Sequence, residues 1–155
     1  NIHVVRKKIA EHEIIAQEPV ATPESLHEPK SKPEQATEQI PKKLEKVGVM
    51  IEKWTSMEHY TQPDINIKDV ATEMGTNSNY LSTYINKVLG TSFAIWLNSL
   101  RVEKSKEYLC SKTRISIEEC GMKVGYQSLY NYSRWFKTVT GMSPSEWRKT
   151  QCEKN

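Results

Sequence analysis

The sequence predicts an all-α protein of about seven helices, arranged as two similar units that a long connector helix joins, with a flexible tail before them. Two observations carry this prediction. A pattern that begins with glycine and ends with tryptophan occurs at 90–96 and recurs 51 residues later at 141–147. All thirteen aromatic residues lie beyond residue 47, so the apolar surface needed for a core is concentrated there. A recurrence at this scale indicates one supersecondary element used twice.

The first 43 residues predict a tail or linker rather than a folded domain. They hold seven basic and seven acidic side chains and five of the seven prolines, but no aromatic residue and no glycine. Such a segment cannot bury enough apolar surface to offset its ordering entropy. We interpret 17–43 as the linker, with a frayed amphipathic helix before it, and 44–150 as the folded domain.

The sequence predicts three helices in the first unit, 44–91. A helical pattern that includes Val47, Ile51 and Trp54 is expected to end at Pro63-Asp64. Asn66 and Asn77 are placed to cap the next two helices, and glycines at 75 and 90 end them. Two helices joined by a short turn that contains glycine are typical of a helix-turn-helix.

The second unit, 114–150, repeats this order, with a turn at Gly125. Capping serines are expected at 116, 128 and 143, the last followed by proline and glutamate in a capping box. Between the units, Phe93 to Ser111 reads as one connector helix within 92–111. Its nineteen residues would span roughly 28 Å, close to the roughly 34 Å between successive major-groove faces on one side of B-DNA.

Charge and composition restrict the function. The formal charge is −2 over 45–103 and +5 over 104–155, which favours an anionic partner for the second unit. Three of the four histidines lie in the tail, so we expect no metal site and no cofactor. No nucleophile, base or phosphate loop converges on an active site, so we expect no enzyme. Cys110 and Cys120 read as small buried thiols, which suggests a reducing, cytoplasmic setting.

Residues 45–150 resemble the AraC/XylS family of bacterial transcription regulators. The matching residues are Val70-Ala71 through Gly75, Tyr80-Leu81-Ser82, Gly90 to Phe93, Leu100-Arg101, Gly125-Tyr126, Arg134 through Lys137, and Gly141 to Pro144 through Arg148. The resemblance implies seven helices in two subdomains, with the third helix of each entering the major groove of promoter DNA. Three positions depart from the family pattern: Cys120-Gly121 replaces Ile-Ala, at a cost of about 1 kcal/mol in a helix interior, and Ile85 replaces an aromatic residue.

Helical geometry selects the residues expected to contact DNA. If the apolar stripes of the two third helices face inward, their polar faces turn outward at corresponding positions. The expected base-reading residues are Asn79, Ser82, Thr83, Tyr130, Asn131, Ser133 and Arg134. The expected phosphate contacts are Asn86, Lys87, Lys137 and Arg148. For Arg101, on the connector, we favour a structural role through Glu103 or Glu107.

The main alternative is a helical protein-interaction module that does not bind DNA. It predicts an apolar exposed face where the DNA hypothesis predicts polar residues such as Asn79 and Arg134. RNA is a weaker candidate, because helices of this kind fit a wide major groove that A-form RNA lacks. Under the DNA hypothesis the partners are double-stranded promoter DNA and, as a further candidate, RNA polymerase. We expect a sensing or oligomerisation region outside this chain, with membrane tethering one form of it, and no small-molecule site within it.

Overall fold

A computed structural model describes residues 39–111 and 113–152 of the chain. Within them it has seven α-helices and no strand, which confirms the predicted fold class. The helices are α1 Gln39–Ser56, α2 Ile67–Glu73, α3 Ser78–Lys87, α4 Phe93–Leu109, α5 Ile117–Lys123, α6 Leu129–Thr140 and α7 Pro144–Gln151, with a 3-10 turn His59–Thr61 after α1. The predictions for the tail before Gln39 lie outside the described residues.

Two separate cores share α4. The first packs α1, α2 and α3 against the beginning of α4, and its buried members run from Val47 to Leu100. The second packs α5, α6 and α7 around the rest of α4, beginning at Val102. The boundary between the two cores therefore falls at Arg101, in the middle of the connector. The tryptophans of the repeated pattern serve these cores, since Trp96 is buried in the first and Trp147 packs against Phe136 in the second.

The predicted caps position the helices that follow them. Asn77 accepts a hydrogen bond from the Tyr80 backbone N–H, and Ser128, 51 residues later, accepts one from the Asn131 N–H. Asn66 and Ser116 act in the same way, and Ser143 forms a full capping box with Glu146. Ser92 caps α4 as well, which was not predicted. Each cap satisfies backbone N–H groups that have no partner inside the helix. The starts of α2, α3, α5, α6 and α7 could therefore be predicted from short polar strings.

Three helix boundaries differ from the sequence expectation. Helix α1 begins at Gln39 rather than at 44, and it ends at Ser56 rather than at Pro63. Glu58 ends its continuation because it adopts a left-handed φ of 57° before the 3-10 turn. The connector ends at Leu109, so it has 17 residues and spans roughly 26 Å. Because α1 ends at Ser56, residues 57–66 form a loop before α2, and this loop contacts the second unit.

The cysteine prediction was wrong for Cys110. Cys110 is exposed at the end of α4 and forms a disulfide with Cys152, just after α7, whereas Cys120 alone is a free buried thiol. Burial raises the pKa of the Cys120 thiol, which keeps it protonated and unreactive. The sequence could not predict the pair, because the two residues meet only when α7 folds back on α4. Cysteine usage therefore gives no argument for a reducing compartment.

Gly121 has a packing role that its helix position conceals. A Cβ added at Gly121 would lie 2.9 Å from Cγ and Cδ1 of Tyr132, whose side chain is fully buried. These atoms form the base of the ring, which cannot move without shifting α6. The glycine that departs from the family's alanine is therefore matched to a tyrosine on the neighbouring helix.

We expect Gly121→Ala to destabilise the protein, although alanine is the better helix former. Helix propensity alone would raise the free energy of unfolding by about 1 kcal/mol. Forcing a methyl group into this packed contact should lower the same free energy by roughly 1–3 kcal/mol. Urea unfolding followed by circular dichroism measures the net sign.

The matched control is Gly48→Ala in α1. There the added Cβ meets the Tyr84 hydroxyl at 2.7 Å, the far end of a half-buried side chain. Removing that hydroxyl with Tyr84→Phe should let Gly48→Ala be tolerated. A gain in stability for Gly121→Ala would contradict the packing role of Gly121.

Candidate nucleic-acid interface

Helix α3 presents the polar candidates of the first unit. Leu81 and Ile85 are fully buried and hold one side of the helix against α1, α2 and α4. Asn79, Asn86 and Lys87 are exposed on the remaining surface, and Ser82 and Thr83 are half-buried. The Asn86 amide donates a hydrogen bond to Ser82 Oγ at 3.3 Å, so these two side chains lie on one face. The exposed residues of α3 are thus polar, and only Lys87 adds charge.

Helix α6 presents the candidates of the second unit. Tyr132 and Phe136 are fully buried and occupy the positions that Leu81 and Ile85 occupy in α3. Tyr130, Asn131, Arg134 and Lys137 are exposed, whereas Ser133 is half-buried. Tyr130 has an exposed fraction of 72%. A buried tyrosine would be ordinary core, but one this exposed at the start of a helix is available to a partner.

The Arg134 side chain is exposed, and its guanidinium lies near the ring of Trp135. Its guanidinium carbon lies 5.9 Å from the centroid of the Trp135 ring, a distance at which a cation is attracted to the ring face. Arg134 and Asn131 also line a groove of about 560 Å³ between the units, together with Asn66 and Ile67 at the start of α2. The exposed polar face of α6 therefore begins beside the first unit.

The two helices carry equivalent faces with different charge. Asn79, Thr83 and Asn86 correspond to Tyr130, Arg134 and Lys137 at the 51-residue offset. The second face therefore has two cations where the first has neutral side chains. Guanidinium can make bidentate contacts to guanine, whereas asparagine suits adenine and small hydroxyls discriminate poorly. Helix α6 therefore presents more of the side chains that are suited to base contacts than α3 does.

Arg148 has a structural partner rather than a free guanidinium. Its Nη2 donates a hydrogen bond to the Ile115 carbonyl at 2.8 Å, and its Nε is buried. This contact ties α7 to the segment before α5. Because the side chain is half-buried and engaged in this way, we leave Arg148 out of the proposed phosphate contacts.

Arg101 is buried, and its partners are not the glutamates suggested by the sequence. Its guanidinium donates to the backbone carbonyls of Tyr60 and Gln62, at 2.8 and 2.6 Å. Glu103 pairs instead with Lys106, and Glu107 with Lys104. The structural role was therefore predicted correctly, but the partners were wrong. Backbone carbonyls in a loop leave no signal in the sequence.

One exposed residue at this interface was missed. Leu129 begins α6 and has an exposed fraction of 44%. It precedes Tyr132 by three residues, so helical spacing places it on the inward stripe. Leu129 is exposed because the first turn of α6 lies outside the second core, which begins along this helix at Tyr132. An apolar side chain there could contact a thymine methyl group.

Two capped helices with mainly polar outer faces, each in a helix-turn-helix, are typical of the DNA-binding domain of a transcription regulator. A helix-turn-helix domain family model matches residues 70–150. The chain belongs to the AraC-type family of helix-turn-helix transcription regulators.

Relatives and solved structures agree with this assignment. The arabinose operon regulatory protein of Escherichia coli K12 is 34% identical over 96 residues, which are 62% of this chain and 32% of that protein. The C-terminal domain of AraT, a response regulator from Geobacillus stearothermophilus, is 32% identical, with a TM-score of 0.60 over 68% of this chain and 85% of that one. The DNA-binding domain of AdpA, solved with a target DNA, shares the fold, with a TM-score of 0.59 and 16% identity over 70% of this chain and 95% of that one. The chain spans about a third of the arabinose regulator's length.

Two features of residues 39–111 and 113–152 bear on other roles. No group of three or more histidine, cysteine, aspartate or glutamate side chains is arranged there to hold a metal ion. The same residues include no helix of sufficient length and apolarity to cross a bilayer.

Proposed function

We propose that this chain is the DNA-reading part of a transcription regulator, and that α3 and α6 enter two successive major-groove segments of promoter DNA. The supporting observation is the pair of corresponding polar faces, on helices that are capped alike and held by separate cores. Helix-turn-helix proteins read bases from the N-terminal part of the recognition helix. The proposed base-reading residues are Asn79, Ser82, Thr83, Tyr130, Asn131, Ser133 and Arg134, and Leu129 joins them.

Phosphate contacts need charge and reach rather than a fixed geometry. We propose Asn86 and Lys87 on α3 and Lys137 on α6 for this role. The cytoplasm, where bacterial promoter DNA lies, is the proposed setting, and we propose no catalytic role. RNA polymerase and a sensing region elsewhere in the protein remain candidate partners, by analogy with regulators that exceed this chain in length.

A protein-interaction module without DNA binding is less well supported. It needs an exposed apolar face on the reading helices, and α3 exposes no large apolar side chain. On α6 the exposed apolar surface is confined to Leu129 and Tyr130, at the first turn. Gel-shift titration of the chain on promoter fragments from its own genome, against scrambled DNA of equal length, tests the proposed function. Equal affinity for all fragments would reduce it to non-specific binding.

Arg134 and Lys137 should have separable effects on DNA affinity. We expect Arg134→Ala to cost roughly 1–3 kcal/mol on the cognate site and to relax preference at one base pair, because a bidentate contact to guanine is lost. Lys137→Ala should weaken binding to all sequences alike and lower the salt slope by about 1, because one phosphate contact is lost. Fluorescence anisotropy on cognate and scrambled duplexes, over a salt series, measures both.

Arg148→Ala is not a suitable control here, because it would also break the contact with Ile115. Lys149→Ala removes an exposed cation from the neighbouring position on α7 and is the better one. Equal losses on cognate and scrambled DNA for Arg134→Ala would make Arg134 a phosphate contact and overturn its base-reading role.

A further inference from the structure

The two units touch beside the connector as well as through it. Gln127, in the turn before α6, donates a hydrogen bond to the Asp64 carboxylate in the loop before α2. Both side chains are exposed, and the contact joins residues 63 positions apart. Loop 57–66 and turn 125–127 therefore form a direct junction between the two helix-turn-helix units.

Arg101 sits in the middle of this junction. Its hydrogen bonds to the Tyr60 and Gln62 carbonyls hold loop 57–66 against α4. Its guanidinium carbon also lies 5.4 Å from the ring centroid of Tyr126, in the second unit. The Tyr126 hydroxyl in turn donates to Asn98 Oδ1 at 2.7 Å, on the part of α4 that belongs to the first core. One buried cation thus contacts both units at the point where their cores divide.

Gly125 brings the two backbones together. A Cβ at Gly125 would lie 2.6 Å from the Thr61 carbonyl oxygen and 2.8 Å from that of Gln62. Its φ of +90° also lies in the left-handed region, which L side chains rarely adopt. The close approach is between turn and loop, so any side chain at this position would force the units apart. On the outer side, Lys104 of α4 pairs with Glu58 of the loop at 2.7 Å.

We propose that this junction, formed by Arg101, Gly125, Tyr126 and Gln127 against loop 57–66, sets the spacing between half-sites that the protein accepts. The inference rests on the proposed two-groove function. A connector helix alone fixes the distance between the units but can still bend or twist at Arg101, where the two cores divide. Contacts beside the helix remove that freedom, and they act close to Asn131 and Arg134, which line the groove between the units. These are positioning residues, which need not touch DNA.

The test is an affinity profile across half-site spacings. The full chain is titrated on duplexes whose half-site centres are about 8 to 12 base pairs apart, since each added base pair turns the second half-site by roughly 35° and moves it by roughly 3.4 Å. For the unaltered protein we expect one preferred spacing. A change of one base pair should lower affinity roughly tenfold to a hundredfold, similar to one mismatched pair.

Gln127→Ala combined with Tyr126→Phe removes two of the junction hydrogen bonds and keeps the ring beside Arg101. We expect this variant to bind the preferred spacing less tightly and to flatten the profile, so that a change of one base pair costs less than about threefold, because preorganisation is lost. Affinity for an isolated second half-site should not change. The control is Asp64→Asn, which keeps an acceptor for Gln127 and should raise affinity at all spacings alike, because it removes a negative charge near DNA.

A measurement without DNA tests whether the junction holds the two units in one orientation, independently of whether the protein binds DNA. Residual dipolar couplings of the unaltered protein should fit one alignment tensor for both units, whereas Gly125→Ala should require two. A sharp spacing profile that is unchanged in the Gln127→Ala, Tyr126→Phe variant would overturn the inference and leave the proposed function standing. If the unaltered protein shows no preference for any bipartite site, the proposed function fails instead.

Discussion

An insertion of about five base pairs between the two half-sites should remove most of the specific affinity. Half a helical turn moves the second half-site to the opposite face of the duplex. The two proposed reading helices belong to cores that share α4, and the hydrogen bond from Gln127 to Asp64 also joins the two units, so α6 cannot follow that displacement. We expect a loss of roughly 100-fold or more, which is modest beside the 10³ to 10⁷ that separates specific from non-specific binding.

The measurement is fluorescence anisotropy at fixed salt, because non-specific contacts change steeply with ionic strength. Footprinting of the uninterrupted site should show two protected patches with centres about 10 base pairs apart, at one protein per site. A duplex with only the second half-site is the control, and the insertion should bring affinity close to its value. Unchanged affinity after the insertion would show that one unit reads DNA alone, even though the protein binds it.

Reduction of the Cys110 and Cys152 disulfide should strongly destabilise the second unit. The bond closes a segment of 42 residues that contains α5, α6 and α7. Cross-linking such a loop restricts the unfolded chain, and its loss should lower the free energy of unfolding by about 4 kcal/mol. Domains of this size have roughly 5–15 kcal/mol in total. The reading helix α6 should therefore melt earlier than the first unit.

Urea unfolding with and without dithiothreitol, followed by tryptophan fluorescence, measures this difference. The matched control is the Cys110→Ser, Cys152→Ser variant, whose midpoint should match that of the reduced protein and should not respond to the reductant. The remaining thiol, Cys120, is buried and free alongside the disulfide, so it is not the bond that the reductant acts on. Identical midpoints for the oxidised and reduced protein would show that the disulfide does not stabilise the fold.

Local signals in the sequence were sufficient for the starts and the buried sides of α3 and α6, although not for both ends of α1 or the end of α4. Asn77 and Ser128 begin the two reading helices, and buried stripes that include Leu81 and Phe136 show which side faces the core. A cap acts on N–H groups within three residues, and a stripe repeats every three to four, so both are legible without knowledge of distant contacts. The exposure of Asn79 and Arg134 follows from the same geometry, although their roles at DNA remain predictions.

The sequence by itself determined that the protein is all-helical, that it uses one helix-turn-helix unit twice, and which helix faces are polar. The tertiary structure alone decided that Cys110 meets Cys152, that Arg101 binds the Tyr60 and Gln62 carbonyls, and that Gly125 lies against loop 57–66. The physical reason is the separation along the chain between the residues that interact. Caps and periodicity depend on neighbours along the chain, whereas these contacts join residues 39 to 64 positions apart, which only the packing of complete units brings together.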